Sequence, residues 1–114
     1  KTDYGVDLAF SATGQTTLEA LQAGTVQVAD IYSADPAFAK GDLVALKDPK
    51  NLILPSNVVP IVSASVADKV SKAINAVSAK LTTDELVKLN VQSTADKKQA
   101  TDIAKAWLKE QGLS

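Results

Sequence analysis

The sequence predicts an α/β chain that changes texture part-way along. Apolar and polar residues alternate at Val6–Phe10, and an apolar run at Val26–Tyr32 stops abruptly at Ser33-Ala34-Asp35-Pro36. Between them lies a short segment with helix-start and helix-stop signals. Strand, helix and strand within about thirty residues make a βαβ unit with parallel strands. After Ser63 only helix signals remain.

Each element has its own justification. Val6, Leu8 and Phe10 alternate with Asp7 and Ala9, the pattern of a half-buried strand. Ser11-Ala12-Thr13-Gly14 is a turn. Thr16, with Glu19 three residues on, reads as a capping box, Leu18 and Leu21 supply an apolar face, and Gly24 is the stop. Val26–Tyr32 is the second strand, and residues 36–41 form a turn or short helical segment. Leu43–Leu46 reads as a short strand, 47–51 as a solvated turn around Pro49, and Leu52–Leu54 as an apolar run broken by Pro55. Val58–Val62 is extended, and Pro60 within it demotes it to an edge or crossing strand. Val66, Val70, Ile74, Val77 and Leu81 recur at helical spacing. A second capping box, Thr82 to Glu85, opens a helix to about Val91, with Leu81 and Leu86 as a hydrophobic staple. Ser93 or Thr94 is the expected cap of a last helix whose face is Ala100, Ile103, Ala104, Trp107 and Leu108, ending at Gly112.

Composition narrows the chemistry. The 114 residues are 46% hydrophobic, enough for a packed core, and carry a net charge of -1, which leaves no basic footprint for nucleic acid. No apolar run is long enough to span a bilayer, so a soluble domain is expected. There is no Cys, no His and no Arg. Ser-His and Cys-His triads, most zinc and iron sites and bidentate guanidinium clamps are thereby excluded. No metal and no cofactor is expected, and a hydrolase using Asp35 with a lysine has no supporting spacing. Lys1–Gly5 reads as the interior of a longer protein, without a visible signal peptide.

Two constellations point to ligands. Tyr32 with Asp35 offers an aromatic face for a cation or sugar and a nearby carboxylate, at a strand end where α/β sites fall. The same residues are also what a strand end followed by an Asp-Pro turn looks like. The loop Ser11–Gln15 precedes a helix start whose free N–H groups suit an anion, and it is equally an ordinary capped loop. Asp30 reads as a solvated or paired strand charge, and Trp107 as core. Lys97, Lys98, Lys105 and Lys109 alternate with Asp96, Asp102 and Glu110 and read as a solvated face, not a DNA-reading helix.

The run Thr17–Pro36, TLEALQAGTVQVADIYSADP, resembles the substrate-binding proteins of osmoprotectant ABC transporters of the glycine betaine, choline and carnitine type. These pair a helix ending in Ala-Leu-x-x-Gly with a Val-Asp-Val strand and Tyr-Ser-Thr-Asp. The resemblance continues through 43–48, Asn57-Val58-Val59-Pro60, Leu81–Leu86 and Ala104–Leu108, nearly the whole chain. It implies part of a two-lobed periplasmic-binding-protein (type II) fold, here the C-terminal half only. Residues 1–57 would belong to the second α/β lobe, 58–62 would cross as a hinge, and 63–114 would complete the first lobe. It further implies a non-enzymatic, extracytoplasmic protein, periplasmic or lipid-anchored. Its partners would be a small-molecule solute and the membrane permease subunits. Unpaired sheet edges would suit a homodimer of the fragment.

By the same resemblance Tyr32 falls on one position of an aromatic cage for quaternary ammonium groups. A second cage tyrosine usually follows Leu54-Pro55, where this chain has Ser56, and Ser11 stands where relatives often carry Asp. Both departures turn the expected solute away from a cation, toward a polyol, a sugar-like or phenolic compound or another osmolyte. The implied contact set is Tyr32, Asp35, Ser56 and the loop Ser11, Ala12, Thr13 and Gly14. The alternative class is an autonomous small interaction domain whose C-terminal helices bind a protein partner.

Overall fold

The computed structural model describes residues 3–114. The chain divides into two compact units, Lys1–Tyr32 with Leu46–Ile53, and Ser33–Ala45 with Leu54–Ser114.

In the first unit a 3-10 turn, Gly14–Thr16, runs into helix α1, Thr17–Gln22. The expected capping box does not form. The chain enters α1 already coiled, with Thr16 at φ -99 and ψ 18, so its hydroxyl faces the preceding turn and donates to the Thr13 carbonyl at 2.9 Å. The stop at Gly24 is as expected. Its φ of 73 lies in the left-handed region open to glycine, and the amides of Thr25 and Val26 close back on the Ala20 carbonyl at 2.9 and 3.2 Å.

The α/β class and the βαβ unit are overturned. Among the described residues there is no strand and no sheet. The segments 6–10, 26–32, 43–46 and 58–62 lack any ladder, and most of their apolar side chains stay in water: Phe10 is 93% exposed, Val44 84% and Ile61 93%, while Val26, Ile31 and Leu43 are half-buried. The reason is a shortage of cover. Parallel strands persist where helices shield their faces, and a lone strand pair is marginal in water. α1 has six residues and none of them is buried. Pro55 and Pro60 also remove backbone donors from the apolar stretch 52–62.

The second unit holds a 3-10 helix, Pro36–Lys40, and helices α2, Ala64–Lys80, α3, Thr83–Thr94, and α4, Ala100–Glu110. α3 packs against both the 3-10 helix and α4. The buried residues are Ala37, Val87, Ile103 and Trp107, one or two from each of these three elements. Trp107 is core, as expected, and its indole N–H donates to Glu85 Oε2 at 2.8 Å. Half of the Thr82–Glu85 capping box forms. Thr82 Oγ1 accepts from the Glu85 amide at 3.2 Å, while the Glu85 carboxylate turns to Trp107 and to Lys88 Nζ at 2.6 Å. α2 buries no residue, but Lys80 Nζ at its end donates to the Gln111 carbonyl capping α4, at 2.7 Å. A cation suits that negative helix end.

One helix boundary differs from expectation. Ser93 and Thr94 close α3 instead of capping the next helix, which begins after Gln99. Thr94 Oγ1 donates back to the Asn90 carbonyl at 2.8 Å, so its hydroxyl is taken by the helix that precedes it.

Trp107→Ala removes the largest buried side chain and lowers stability by about 3–5 kcal/mol, a typical loss for a buried aromatic, measured by denaturant unfolding followed through helix circular dichroism. The Glu85 carboxyl is held below its ordinary range, first by the hydrogen bond from Lys88 and then by that from Trp107. Its contribution is therefore fully present above the ordinary glutamate value of about 4.3, and is lost as pH falls through the depressed folded value. The unfolding midpoint drops across that acid window, and Glu85→Gln flattens this part of the profile.

Candidate functional site

The turn leading to the 3-10 helix is built by a few local bonds. Asp35 is extended, at φ -65 and ψ 134, and its Oδ1 accepts from the Ala37 amide at 2.9 Å. Pro36 follows at the first helical position, where its missing N–H costs nothing. The Asp35 carbonyl accepts from the Phe38 amide at 3.2 Å. Gly41 ends the helix at φ 74, and its amide reaches the Phe38 carbonyl at 3.4 Å. One oxygen of Asp35 is thus a helix cap, as the Asp-Pro sequence suggests, and Oδ2 takes no part in it. The front of the turn is held from α3, where Asn90 Nδ2 donates to the Ala34 carbonyl at 2.8 Å.

Ser56 lies in the same unit, in an exposed stretch without regular structure. Neither Ser56 nor Asp35 lines the open groove of about 240 Å³ between 59–62 and α2. That groove is lined by Val59, Pro60, Val62, Ser71, Ile74 and Asn75, with no aromatic ring and no charge. It has neither of the two features that hold a quaternary ammonium solute.

In the first unit, the loop Ser11–Gly14 is exposed apart from the half-buried Thr13. Its hydroxyl network is spent locally. Thr13 Oγ1 and Thr17 Oγ1 share a hydrogen bond at 2.5 Å, and Thr17 Oγ1 donates to the Gly14 carbonyl at 2.7 Å. Ser11 and Ala12 take no part in it.

The two tyrosines of this unit differ. Tyr4 is committed to the protein: its hydroxyl donates to Asp48 Oδ1 and accepts from the Lys50 amide at 3.0 Å, and Lys50 Nζ lies 5.3 Å from its ring centroid. Lys50 Nζ also donates to the Asp3 carbonyl. Asp48 Oδ2 accepts from the Ile53 amide at 2.8 Å, so one carboxylate closes the 48–53 turn and holds Tyr4. The Asp48 carboxyl is accordingly pulled below its ordinary range, by the Ile53 amide first and Tyr4 second. Tyr32 is 82% exposed and, among the described residues, carries no cation over its ring. Its aromatic face is available to a ligand, whereas that of Tyr4 is taken.

Residues 2–110 match the family model described as the substrate binding domain of ABC-type glycine betaine transport system. The chain belongs to this family. No solved structure matches it. Members of the family are non-enzymatic components of ABC transporters for glycine betaine-type solutes. They bind a small molecule, act with a permease and work outside the cytoplasm, in the periplasm or as lipoproteins. Among the described residues no helix is long and apolar enough to cross a membrane, and no group of acidic side chains suits a metal ion.

Sequence reasoning missed Asn90 and the Tyr4–Asp48–Lys50 cluster. An asparagine at a half-buried position between Leu89 and Val91, inside a helix it does not favour, is a readable sign of a side-chain bond to somewhere else. Nothing local announces Tyr4 and Asp48, which lie 44 residues apart.

Tyr4 is shifted upward, by its partial removal from water first and by the hydrogen bond to Asp48 second. In a Tyr32→Phe background the remaining phenol titrates above the ordinary tyrosine value of about 10. Asp48→Asn returns it toward that value, read from phenolate absorbance.

Proposed function

We propose that this chain supplies solute-contacting residues for the uptake of an osmoprotectant-like compound, a quaternary ammonium or related small solute, captured outside the cytoplasm. The observation that carries this reading is the free, 82% exposed ring of Tyr32, in a family of glycine betaine-binding domains. An aromatic face attracts a trimethylammonium group, while hydroxyl and carboxylate groups orient the rest of the solute. The contact set is Tyr32, Asp35 through its uncommitted oxygen, Ser56, and the loop Ser11, Ala12, Thr13 and Gly14. Solute that prefers a closed form of the binding protein shifts the population toward it, and the permease reads that state.

Ser56 tunes the choice of solute. A hydroxyl in place of a ring weakens the hold on a trimethylammonium group by on the order of 1 kcal/mol and favours a hydroxylated osmolyte.

Calorimetric titration of the natural gene product with glycine betaine, choline and an uncharged polyol tests this. Tyr32→Ala weakens quaternary ammonium binding by a factor of roughly 2–30, the equivalent of a lost cation–π contact. Unchanged affinity for every solute removes Tyr32 from the contact set. Ser56→Tyr tightens betaine and choline by about fivefold relative to the polyol.

A further inference from the structure

The turn that carries Asp35 is fastened in two different ways. Its rear is held by contacts within a few residues: the Asp35 cap on Ala37, the Asp35 carbonyl to Phe38, and the Gly41 stop. Its front is held at a distance. Asn90 reaches across 56 residues of sequence to the Ala34 carbonyl, which is one peptide before Asp35, and both residues are half-buried. α3 is itself anchored, by its Thr82 cap and by the Trp107–Glu85 bond.

We propose that Asn90 is a positioning residue for solute binding: its carboxamide sets the plane of the Ala34–Asp35 peptide and thereby the direction in which Asp35 presents its free oxygen. This rests on the reading of the preceding section that Asp35 contacts the solute. The chemistry needs a donor at this place. A carbonyl accepts only, so among residues of similar shape a carboxamide can fasten it and a carboxylate repels it. Pro36 has no N–H, and the Ala37 amide, the one placed to close a turn on Ala34, is already given to Asp35 Oδ1, so the local bonds do not replace the missing one. Loss of Asn90 therefore frees the front of the turn while the rear stays coiled.

Asn90→Asp swaps the donor for an acceptor at nearly the same volume. Asn90→Ala removes the donor without adding charge, and carries the same test if the carboxylate unfolds α3. Asn90→Gln keeps the amide on a longer stem. Glycine betaine, choline and an uncharged polyol are titrated into the natural gene product and each variant, alongside thermal unfolding and amide spectra of residues 33–38. The expected result is a five- to tenfold loss of affinity, roughly the size of one hydrogen bond, in both Asn90→Asp and Asn90→Ala, with partial recovery in Asn90→Gln. The Asp35 and Ala37 amide signals move while the unfolding midpoint of the helices stays close to that of the wild type. Unmoved amide signals, or moved signals with unchanged affinity, overturn the proposal. So does an affinity loss that simply follows a fall in the unfolding midpoint, because Asn90 would then serve α3 alone. If the wild type binds none of the three solutes, the functional reading itself fails, and the role of Asn90 in binding falls with it. That outcome is distinct because it is seen without any substitution.

Discussion

The indole N–H of Trp107 meets the Glu85 carboxylate at 2.8 Å, and the larger unit depends on that contact. Trp107 gives α4 its largest buried surface, and Glu85 gives the indole the acceptor that a buried N–H requires. The same carboxylate holds Lys88 and sits in the first turn of α3, where the helix dipole favours negative charge. One side chain thus fixes the helix pair and stabilises the start of α3. With only four residues buried among those described, there is little else to hold the elements together. Val87 and Ile103 complete the contact, and Ala37 extends it to the 3-10 helix.

α3 is therefore a scaffold for a turn. Loops positioned by a rigid element commonly carry binding residues, and the turn before Pro36 is held in that way, by Asn90 from the middle of α3 and by packing on its 3-10 helix. Elsewhere the chain separates its two tyrosines by use. Tyr4 gives its hydroxyl to Asp48 and its ring to Lys50, and closes a structural turn. Among the described residues Tyr32 carries no cation on its ring, and it stays in water. In a glycine betaine-binding family, an aromatic ring with no structural duty is the natural candidate for a solute contact.

The legibility of the elements is uneven. Gly24, Gly41 and Gly112 all take positive φ after a helix, and the Thr82 cap and the Ile103–Trp107 face are readable as well. These are local signals, each complete within one or two turns of chain. The strands mislead for the same reason in reverse. Val6, Leu8 and Phe10 alternate as a strand should, yet alternation states only what a segment can bury, and here no layer covers it. Of the site, Asp35 is legible both as carboxylate and as turn former, and the structure shows one oxygen used as a cap. That Asn90 bonds elsewhere is readable from its place within a helix, but its partner, 56 residues away, is not.

The sequence by itself determined where most helices start and stop, the Ile103 and Trp107 part of α4's buried face (Ala100 and Ala104, expected on it, stay exposed), and the family, since caps, glycine stops, periodicity and ordered motifs are carried by neighbours in the chain. It also determined the chemistry on offer, because a chain without His, Cys or Arg is left with rings, hydroxyls, amides, carboxylates and lysines. Only the tertiary structure decided that, among the described residues, the segments expected as strands remain unpaired, that Lys50 occupies the face of Tyr4 and not Tyr32, that Glu85 serves Trp107 instead of closing its capping box, and that Asn90 holds the Asp35 turn. The unpaired segments lack a distant partner, and the other three depend on groups distant in sequence meeting at about 3–5 Å; both outcomes are set by packing, which no local pattern encodes.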